Sequence, residues 1–438
     1  MGSGFFLINM VSTLQSTQRV AQIRHRAGRR QLANIGRMVI SLFCLVASET
    51  ILSLFLEGEY LLNASDTIRW SALLITGIYL IIFLVALRFS RWIRFRTREQ
   101  LLSLWLILCF AGTLGLMIFR LPYSVTFLGL IYPTATIILL LFGKGLSQRS
   151  SMRLGVPARL LDQINSYTGA FIPMESASLP ESAIDAVLVS DEQLSDSDWT
   201  PFLSWCAINA VPVIVLHDYI EAESGRVDLK NFSFTDLLRV RSSDTYLFLK
   251  RLFDVACSLL LLLVFSIPMI LVAVLIKLET TGSAIFVQQR IGMGNVPFTM
   301  YKFRSMVNDA ERGGAQFAAR GDKRVTRVGK FIRKYRIDEL PQLYNVLRGD
   351  MSLIGPRPEQ KNLLDGLVKE IPLFPFRHSV RPGITGWAQV CQGYAYDVNS
   401  SNEKITYDLF YIKNLSFLLD ITIIFRTVRI IITGFGAR

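Results

Sequence analysis

At 438 residues the chain has room for two or three domains, and its 51% apolar composition fits a membrane protein with a substantial soluble part. The formal charge of +13 suits an anionic lipid surface or a phosphorylated substrate, while nucleic acid is set aside because no zinc-finger or RNA-recognition signature is present. Five scattered cysteines (Cys44, Cys109, Cys206, Cys257, Cys391) without CxxC spacing argue against a zinc site or a disulfide framework, and three histidines (His25, His217, His378) against a multi-histidine metal centre.

Residues 1–37 hold six arginines and no acid, and carry no sign of a cleavable leader. Four apolar segments follow, at about Met38–Leu56, Trp70–Leu87, Leu101–Phe119 and Leu121–Phe142. Each approaches the ~20 residues that span a bilayer. The first connection carries Glu57, Glu59 and Asp66 against Arg69, the second carries Arg88, Arg91, Arg94, Arg96 and Arg98, and Lys144, Arg149 and Arg153 follow the fourth segment. The bias of cations toward the cytoplasm then puts both ends of a four-helix unit, residues 38–145, inside the cell. Glu49 lies within the first span and is expected to face other helices.

The segment 146–246 changes character: from Gln163 to Asp236, Arg226 and Lys230 stand against twelve acids. Ala186–Val189 and Val211–Leu216 predict buried strands, and Asp198–Asn209 a helix between them. This is a small, shortened α/β domain of Rossmann-like type, with no glycine-rich dinucleotide fingerprint. A spacer or assembly role is the expectation.

Val255–Ile276 is uncharged, with Lys250 and Arg251 before it and Lys277 after it, and Pro268 follows Ser266 near its middle. Length alone predicts a fifth span. Cations at both ends and a proline in the middle predict instead a re-entrant helix, residues 252–277, kinked at Ser266 and Pro268.

Beyond Ile285 the chain is basic. In Tyr301–Met306 strand alternation puts Lys302 and Arg304 on one side, within reach of one anion. In Arg336–Leu343 two carboxylates, Asp338 and Glu339, follow Lys330, Arg333, Lys334 and Arg336 and precede a predicted helix. Asp338 is placed to cap that helix, with Pro341 in its first turn. A helix N-terminus favours both an ionised carboxylate and a phosphate, and such a carboxylate can attack phosphorus if cations cancel the repulsion. An ordinary capping Asp beside a solvated Glu is the competing reading. Two prolines fix the backbone around Arg357 in Gly355–Pro358, and Arg381 leads another stiff loop; both suit phosphate contacts. The last stretch, Leu415–Thr433, is apolar but carries Asp420, Arg426 and Arg429, a pattern that predicts an in-plane interfacial helix.

Residues 247–438 resemble the bacterial sugar transferases of the monotopic phosphoglycosyl transferase superfamily. The strings that carry the resemblance are Lys250–Asp254 (KRLFD), Tyr301–Met306 (YKFRSM), Asp338–Leu343 (DELPQL), Asn345–Arg348 (NVLR), Gly349–Ser352 (GDMS), Gly355–Pro358 (GPRP), Arg381–Gln389 (RPGITGWAQ) and Tyr407–Ile412 (YDLFYI). The layout resembles the large exopolysaccharide-type members, in which a membrane α-helical bundle and a middle domain precede an α-rich monotopic catalytic domain. The turn Val390–Tyr396 departs from the Asn-Gly-Arg of many relatives, so no sugar preference is carried across.

The resemblance implies an enzyme of the bacterial inner membrane, catalytic on the cytoplasmic face, that turns a UDP-sugar and a polyprenyl phosphate such as undecaprenyl phosphate into polyprenyl-diphosphate-sugar and UMP. Asp338 would be the nucleophile. Glu339 would hold Mg²⁺ or assist as a base, and Lys302, Arg304, Arg333, Arg336, Arg357 and Arg381 would bind phosphates. Membrane lipids are partners by composition, and a homo-oligomer is compatible with the layout. Two other functions compete: a glycosyltransferase that releases UDP, and a non-enzymatic scaffold for polysaccharide assembly.

Overall fold

The computed structural model describes residues 32–33, 35–89, 97–146, 153–167, 169–178, 184–229, 232, 244–307, 322, 324–392 and 398–433. Its contacts divide the chain into two units, Met1–Ser224 and Gly225–Arg438. The arginines at 19–30 and 91–96, and the turn at 393–396, lie outside the described residues.

The first unit begins with four apolar helices: α1 (Ile35–Glu57), α2 (Asp66–Phe89), α3 (Thr97–Ile118) and α4 (Val125–Leu146). Among the described residues, three helices of the whole chain are long and apolar enough to cross a membrane: Ile35–Glu57, Val125–Phe142 and Asp244–Glu279. Glu49 is buried within this part and takes the Thr76 hydroxyl on both carboxylate oxygens, at 3.0 and 3.1 Å. An acid on an apolar helix is tolerated where a polar group of a neighbouring helix meets it.

The same unit holds a four-stranded parallel sheet in the order β2-β1-β3-β4. The strands are β1 (Arg153–Pro157), β2 (Ala170–Met174), β3 (Ala186–Val189) and β4 (Val213–Val215). Helix α5 (Thr200–Ile208) joins β3 to β4, as the apolar runs predicted. The first two strands escaped the sequence reading. Arg153, Gly155 and Pro157 interrupt β1, and Pro173 interrupts β2, so neither shows an uninterrupted apolar run.

The second unit is organised along α6 (Asp244–Glu279), 36 residues of helix. Pro268 lies inside it and does not end it. The Ser266 hydroxyl donates to the Leu263 carbonyl at 2.7 Å in the turn that proline weakens. The middle of α6 is apolar and exposed, with Leu263, Val264, Ile267 and Ile270 each more than half open. Only its two ends are packed.

At the first end, Lys250 meets Asp420 at 2.9 Å, Tyr246 donates to the same carboxylate at 2.7 Å, and Tyr411 to its other oxygen at 2.8 Å. Arg251 donates to the carbonyls of Val346 and Leu347, at 2.7 and 3.0 Å, the last turn of α8 (Gln342–Arg348). Asp254 receives the Leu353 N–H at 3.1 Å. At the second end, Val272 and Ile276 pack with Phe303 and Ile332. Glu279 there accepts the first N–H groups of α7 (Arg327–Lys334), from Arg327 at 2.6 Å and Val328 at 3.1 Å. A carboxylate at a helix N-terminus suits both the free donors and the helix dipole.

Around α6 lie an antiparallel pair, β5 (Ile285–Ile291) with β6 (Pro297–Phe303), and a short parallel pair, β7 (Ser352–Ile354) with β8 (Gly383–Thr385). The parallel pair depends on two glycines in close approach. A Cβ at Gly383 would lie 2.1 Å from the Gly355 nitrogen. The main core joins Ile354, Phe374, Trp387, Leu409, Leu419 and Ile423. Residues 225–229 also pack here, through the bonds Val227 N–H to Thr406 carbonyl and Trp387 indole to Gly225 carbonyl.

The closing helix, α9 (Phe417–Thr433), corrects the expectation of an in-plane interfacial helix. Its first half is core: Leu419, Asp420, Ile421, Thr422 and Ile423 are all buried. Asp420 interrupts the apolar run because it anchors Lys250, Tyr246 and Tyr411, not because it faces water.

Candidate active site

The predicted catalytic pair sits on a single 3₁₀ turn, Ile337–Glu339, between α7 and α8. Arg336 enters that turn in the left-handed region at φ 57°, unusual for a residue with a side chain. Pro341, not Asp338, occupies the capping position of α8, and no side chain caps that helix. The expected cap is therefore not formed: Asp338 lies inside the 3₁₀ turn, and Glu339, Leu340 and Pro341 separate it from the first residue of α8.

Glu339 is buried, at 5% exposure. Three cations surround its carboxylate: Arg357 at 2.7 Å, Lys302 at 3.7 Å and Arg336 at 3.9 Å. Burial alone would push its pKa up, but Arg357, Lys302 and Arg336 outweigh burial and hold it well below the usual carboxylate range. Asp338 beside it is half-buried and remains in contact with solvent. Burial raises its pKa first, and the Glu339 charge raises it further; Lys302, Arg357 and Arg333 pull the other way. The neighbours thus have opposite characters. Glu339 is a fixed counter-charge for the cations, and Asp338 is a half-buried carboxylate whose pKa burial and the Glu339 charge raise to about 6 against the pull of the cations.

Lys302 reaches the turn from β6, and its pKa is pushed down to about 8 by burial and then by Arg357, against the pull of Glu339 and Asp338. Arg333 comes from the last turn of α7. Lys302, Arg333, Arg336 and Arg357 are therefore brought together around the pair. Arg304 and Arg381 are bound to backbone. The strand ends at Phe303, so alternation no longer governs Arg304. Its guanidinium donates to the carbonyls of Thr281 at 2.7 Å and Thr280 at 3.0 Å, past the end of α6. Arg381 donates to the Gly349 carbonyl at 3.1 Å.

The donor set fits a magnesium ion in one respect. Two neighbouring carboxylates, one of them held ionised, are the number of protein ligands that Mg²⁺ usually takes beside substrate phosphates and water, although the Glu339 carboxylate is already paired with Arg357, Lys302 and Arg336. Among the described residues no group of three or more His, Cys, Asp or Glu side chains could hold a metal. Phosphate oxygens would have to supply most of the shell.

Sequence reading missed a second charged cluster. Arg377, at 1% exposure, pairs with Glu359 at 3.1 Å and Asp408 at 2.8 Å. Lys404 pairs with the same Glu359 oxygen as Arg377, and Arg290 lies 3.8 Å from the other. Two of its members sit in or beside strings singled out above, Asp408 in YDLFYI and Glu359 directly after GPRP. Burial pushes the Glu359 pKa up, but Lys404 and Arg377 outweigh it and hold the carboxylate far below its usual range.

Residues 245–434 match the family described as Bacterial sugar transferase. Over 256 residues the chain is 50% identical to a UDP-N-acetylgalactosamine-undecaprenyl-phosphate N-acetylgalactosaminephosphotransferase of Aeromonas hydrophila, covering 58% of this chain and 60% of that protein. It is 44% identical over 186 residues to a UDP-glucose:undecaprenyl-phosphate glucose-1-phosphate transferase of Caulobacter vibrioides, covering 42% of this chain and 70% of the relative. It is 53% identical over 133 residues to a putative undecaprenyl-phosphate N-acetylgalactosaminyl 1-phosphate transferase of Bacillus subtilis, covering 30% and 74%. The chain thus spans less than two thirds of the Aeromonas protein and more than two thirds of the other two.

The buried cluster makes a pH-dependent contribution to stability. The folded protein keeps Glu359 ionised further into acid than the unfolded chain does, so its contribution is complete above about pH 4.3 and fades as the pH falls below that. Glu359→Gln should destabilise the protein by about 3 kcal/mol at pH 7, and the gap to wild type should narrow below about pH 4. Thermal unfolding in detergent across that range measures the gap. A gap unchanged down to about pH 3.5 would remove the carboxylate charge as its source.

Proposed function

The chain belongs to the bacterial sugar transferase family, and from that premise we propose that it transfers a sugar 1-phosphate from a UDP-sugar to a polyprenyl phosphate, releasing UMP. The observation that carries this reading is the pairing of a reachable Asp338 with a buried, ionised Glu339 under Lys302, Arg336 and Arg357. Two of the relatives bear N-acetylgalactosamine in their names, so UDP-N-acetylgalactosamine is the donor we place first.

In the first step an Asp338 oxygen attacks the β-phosphorus of the UDP-sugar. The bond from that phosphorus to the bridging oxygen breaks, and UMP leaves with the electron pair. The sugar phosphate is now a mixed anhydride on the carboxylate. In the second step an oxygen of the polyprenyl phosphate attacks the same phosphorus, the bond to Asp338 breaks, and the carboxylate is restored. Lys302, Arg333, Arg336 and Arg357 offset the repulsion between anionic nucleophile and anionic phosphate in both steps. Arg304 and Arg381 support the site through the backbone groups they hold. Glu339 would hold Mg²⁺, which when bound supplies further positive charge at the phosphate oxygens.

The membrane layout follows the same reading. The apolar helices α1 to α4 are four spans with both ends cytoplasmic, and the parallel sheet is a shortened Rossmann-like domain on that side. Helix α6 enters the membrane and returns to the same face, bent at Ser266 and Pro268. Its exposed apolar middle supports this, as does the packing of both of its ends into the same unit as the catalytic turn.

Two measurements test these statements. Purified protein supplied with a UDP-sugar panel and polyprenyl phosphate should release UMP, with Asp338→Asn folded but inactive and Glu339→Gln slowed and shifted in its Mg²⁺ titration. Release of UDP instead would make the enzyme a glycosyltransferase. For topology, single cysteines at Phe248 and Ser283 in an otherwise cysteine-free chain should both be shielded from an impermeant periplasmic thiol reagent. Labelling at Ser283 alone would turn α6 into a true span.

A further inference from the structure

The segment Arg357–Glu359 is held at every residue. The Arg357 carbonyl accepts from Arg377 Nη2 at 2.8 Å, the Pro358 carbonyl from Arg290 Nη1 at 3.1 Å, and the Glu359 carbonyl from the Ile291 N–H at 3.0 Å. The Glu359 side chain is gripped in turn by Arg377 and Lys404. Upstream, Gly355 donates its N–H to the Thr385 carbonyl at 2.9 Å, and the Pro356 carbonyl accepts from Gly383 at 2.9 Å. Prolines on either side fix the backbone torsions as well.

Arg377 is the centre of this arrangement. It is 1% exposed, and its guanidinium lies 4.7 Å over the Phe374 ring. Its fork hydrogen-bonds the Glu359 carboxylate and the Arg357 carbonyl, and forms an ion pair with Asp408 at 2.8 Å. Burying a guanidinium is costly, and a core ion pair is often replaceable by apolar residues without loss of stability. The bond that packing alone does not call for is the one to the Arg357 carbonyl. On the other side of that same residue, the Arg357 guanidinium donates to Glu339 at 2.7 Å.

We propose that Arg377 is a positioning residue for the transfer reaction: seated between Glu359 and Asp408, it fixes the backbone of Arg357 and thereby aims the Arg357 guanidinium at Glu339 and the phosphate site. This rests on the reading of Asp338 and Glu339 as the catalytic pair. Arg377 acts through Arg357, so its effect on rate belongs to Arg357 and disappears with that side chain. Lysine at this position keeps the charge but lacks the planar fork that holds Glu359 and the Arg357 carbonyl together beside Asp408.

A double-mutant cycle on UMP release, with radiolabelled UDP-sugar at saturation, tests the coupling. Arg377→Lys should lower kcat about tenfold or more in the wild-type background, the scale expected when a catalytic group is misplaced by a fraction of an ångström. In an Arg357→Ala background the same substitution should cost less than about twofold. Should Arg377→Lys fail to reach the membrane folded, Asp408→Asn removes the counter-charge of the same guanidinium and enters the same cycle with the same expectation. Equal fold losses in both backgrounds, with wild type active, would overturn this inference alone and leave Arg377 a core ion pair. Absence of UMP from wild type with every donor would overturn the functional reading and this inference with it.

Discussion

Glu339 carries its negative charge at 5% exposure, and only the cations closed around it make that possible. Removing one partner of such a buried set typically costs about 3–5 kcal/mol, because the remaining charge is left uncompensated. The constraint runs outward from there. Lys302 comes from β6, Arg336 takes a left-handed backbone angle, and Arg357 sits on a segment hydrogen-bonded at each residue. The same cations favour the ionised form of Asp338, which burial and the Glu339 charge oppose. Glu339 thus gathers the cations around itself, and Asp338 is the half-buried carboxylate beside them.

The long helix α6 relates that pocket to the membrane. One end is tied by Lys250 to Asp420 and by Arg251 to the last turn of α8, whose first turn adjoins the Asp338–Glu339 turn. The other end packs against α7, and Glu279 caps the helix that carries Arg333. Both flanks of the catalytic turn are therefore braced against the same apolar helix. On the function proposed above, the depth of that helix in a bilayer would fix the height of Asp338, a useful property for an enzyme with one soluble and one lipid phosphate substrate.

The parts legible in the sequence are those with a local signal. Apolar runs located the helices and the β3-α5-β4 unit, and two adjacent carboxylates among cations pointed to the candidate site. Strand alternation reached Lys302 but failed one residue past the strand end, where Arg304 turns to the carbonyls beyond α6. Asp338 satisfied the composition of a helix cap, yet it sits inside a 3₁₀ turn and Pro341 takes the capping position, and no capping rule distinguishes the two from sequence. Asp420 looked like a polar interruption suited to a lipid surface, because its partners Lys250 and Tyr246 lie about 170 residues away in the chain. The Arg377 cluster was invisible for the same reason. Its five charges come from four stretches of chain, Lys404 and Asp408 sharing one helix, and only folding brings them together.

The central claim is that Asp338 forms a covalent bond to phosphorus, and intact-protein mass spectrometry tests it most directly. Wild type incubated with its UDP-sugar and no lipid acceptor should gain the mass of one sugar phosphate. Peptide mapping should put it on Asp338, and polyprenyl phosphate should remove it. An adduct on Glu339, or turnover with no adduct until both substrates are present, would contradict the account.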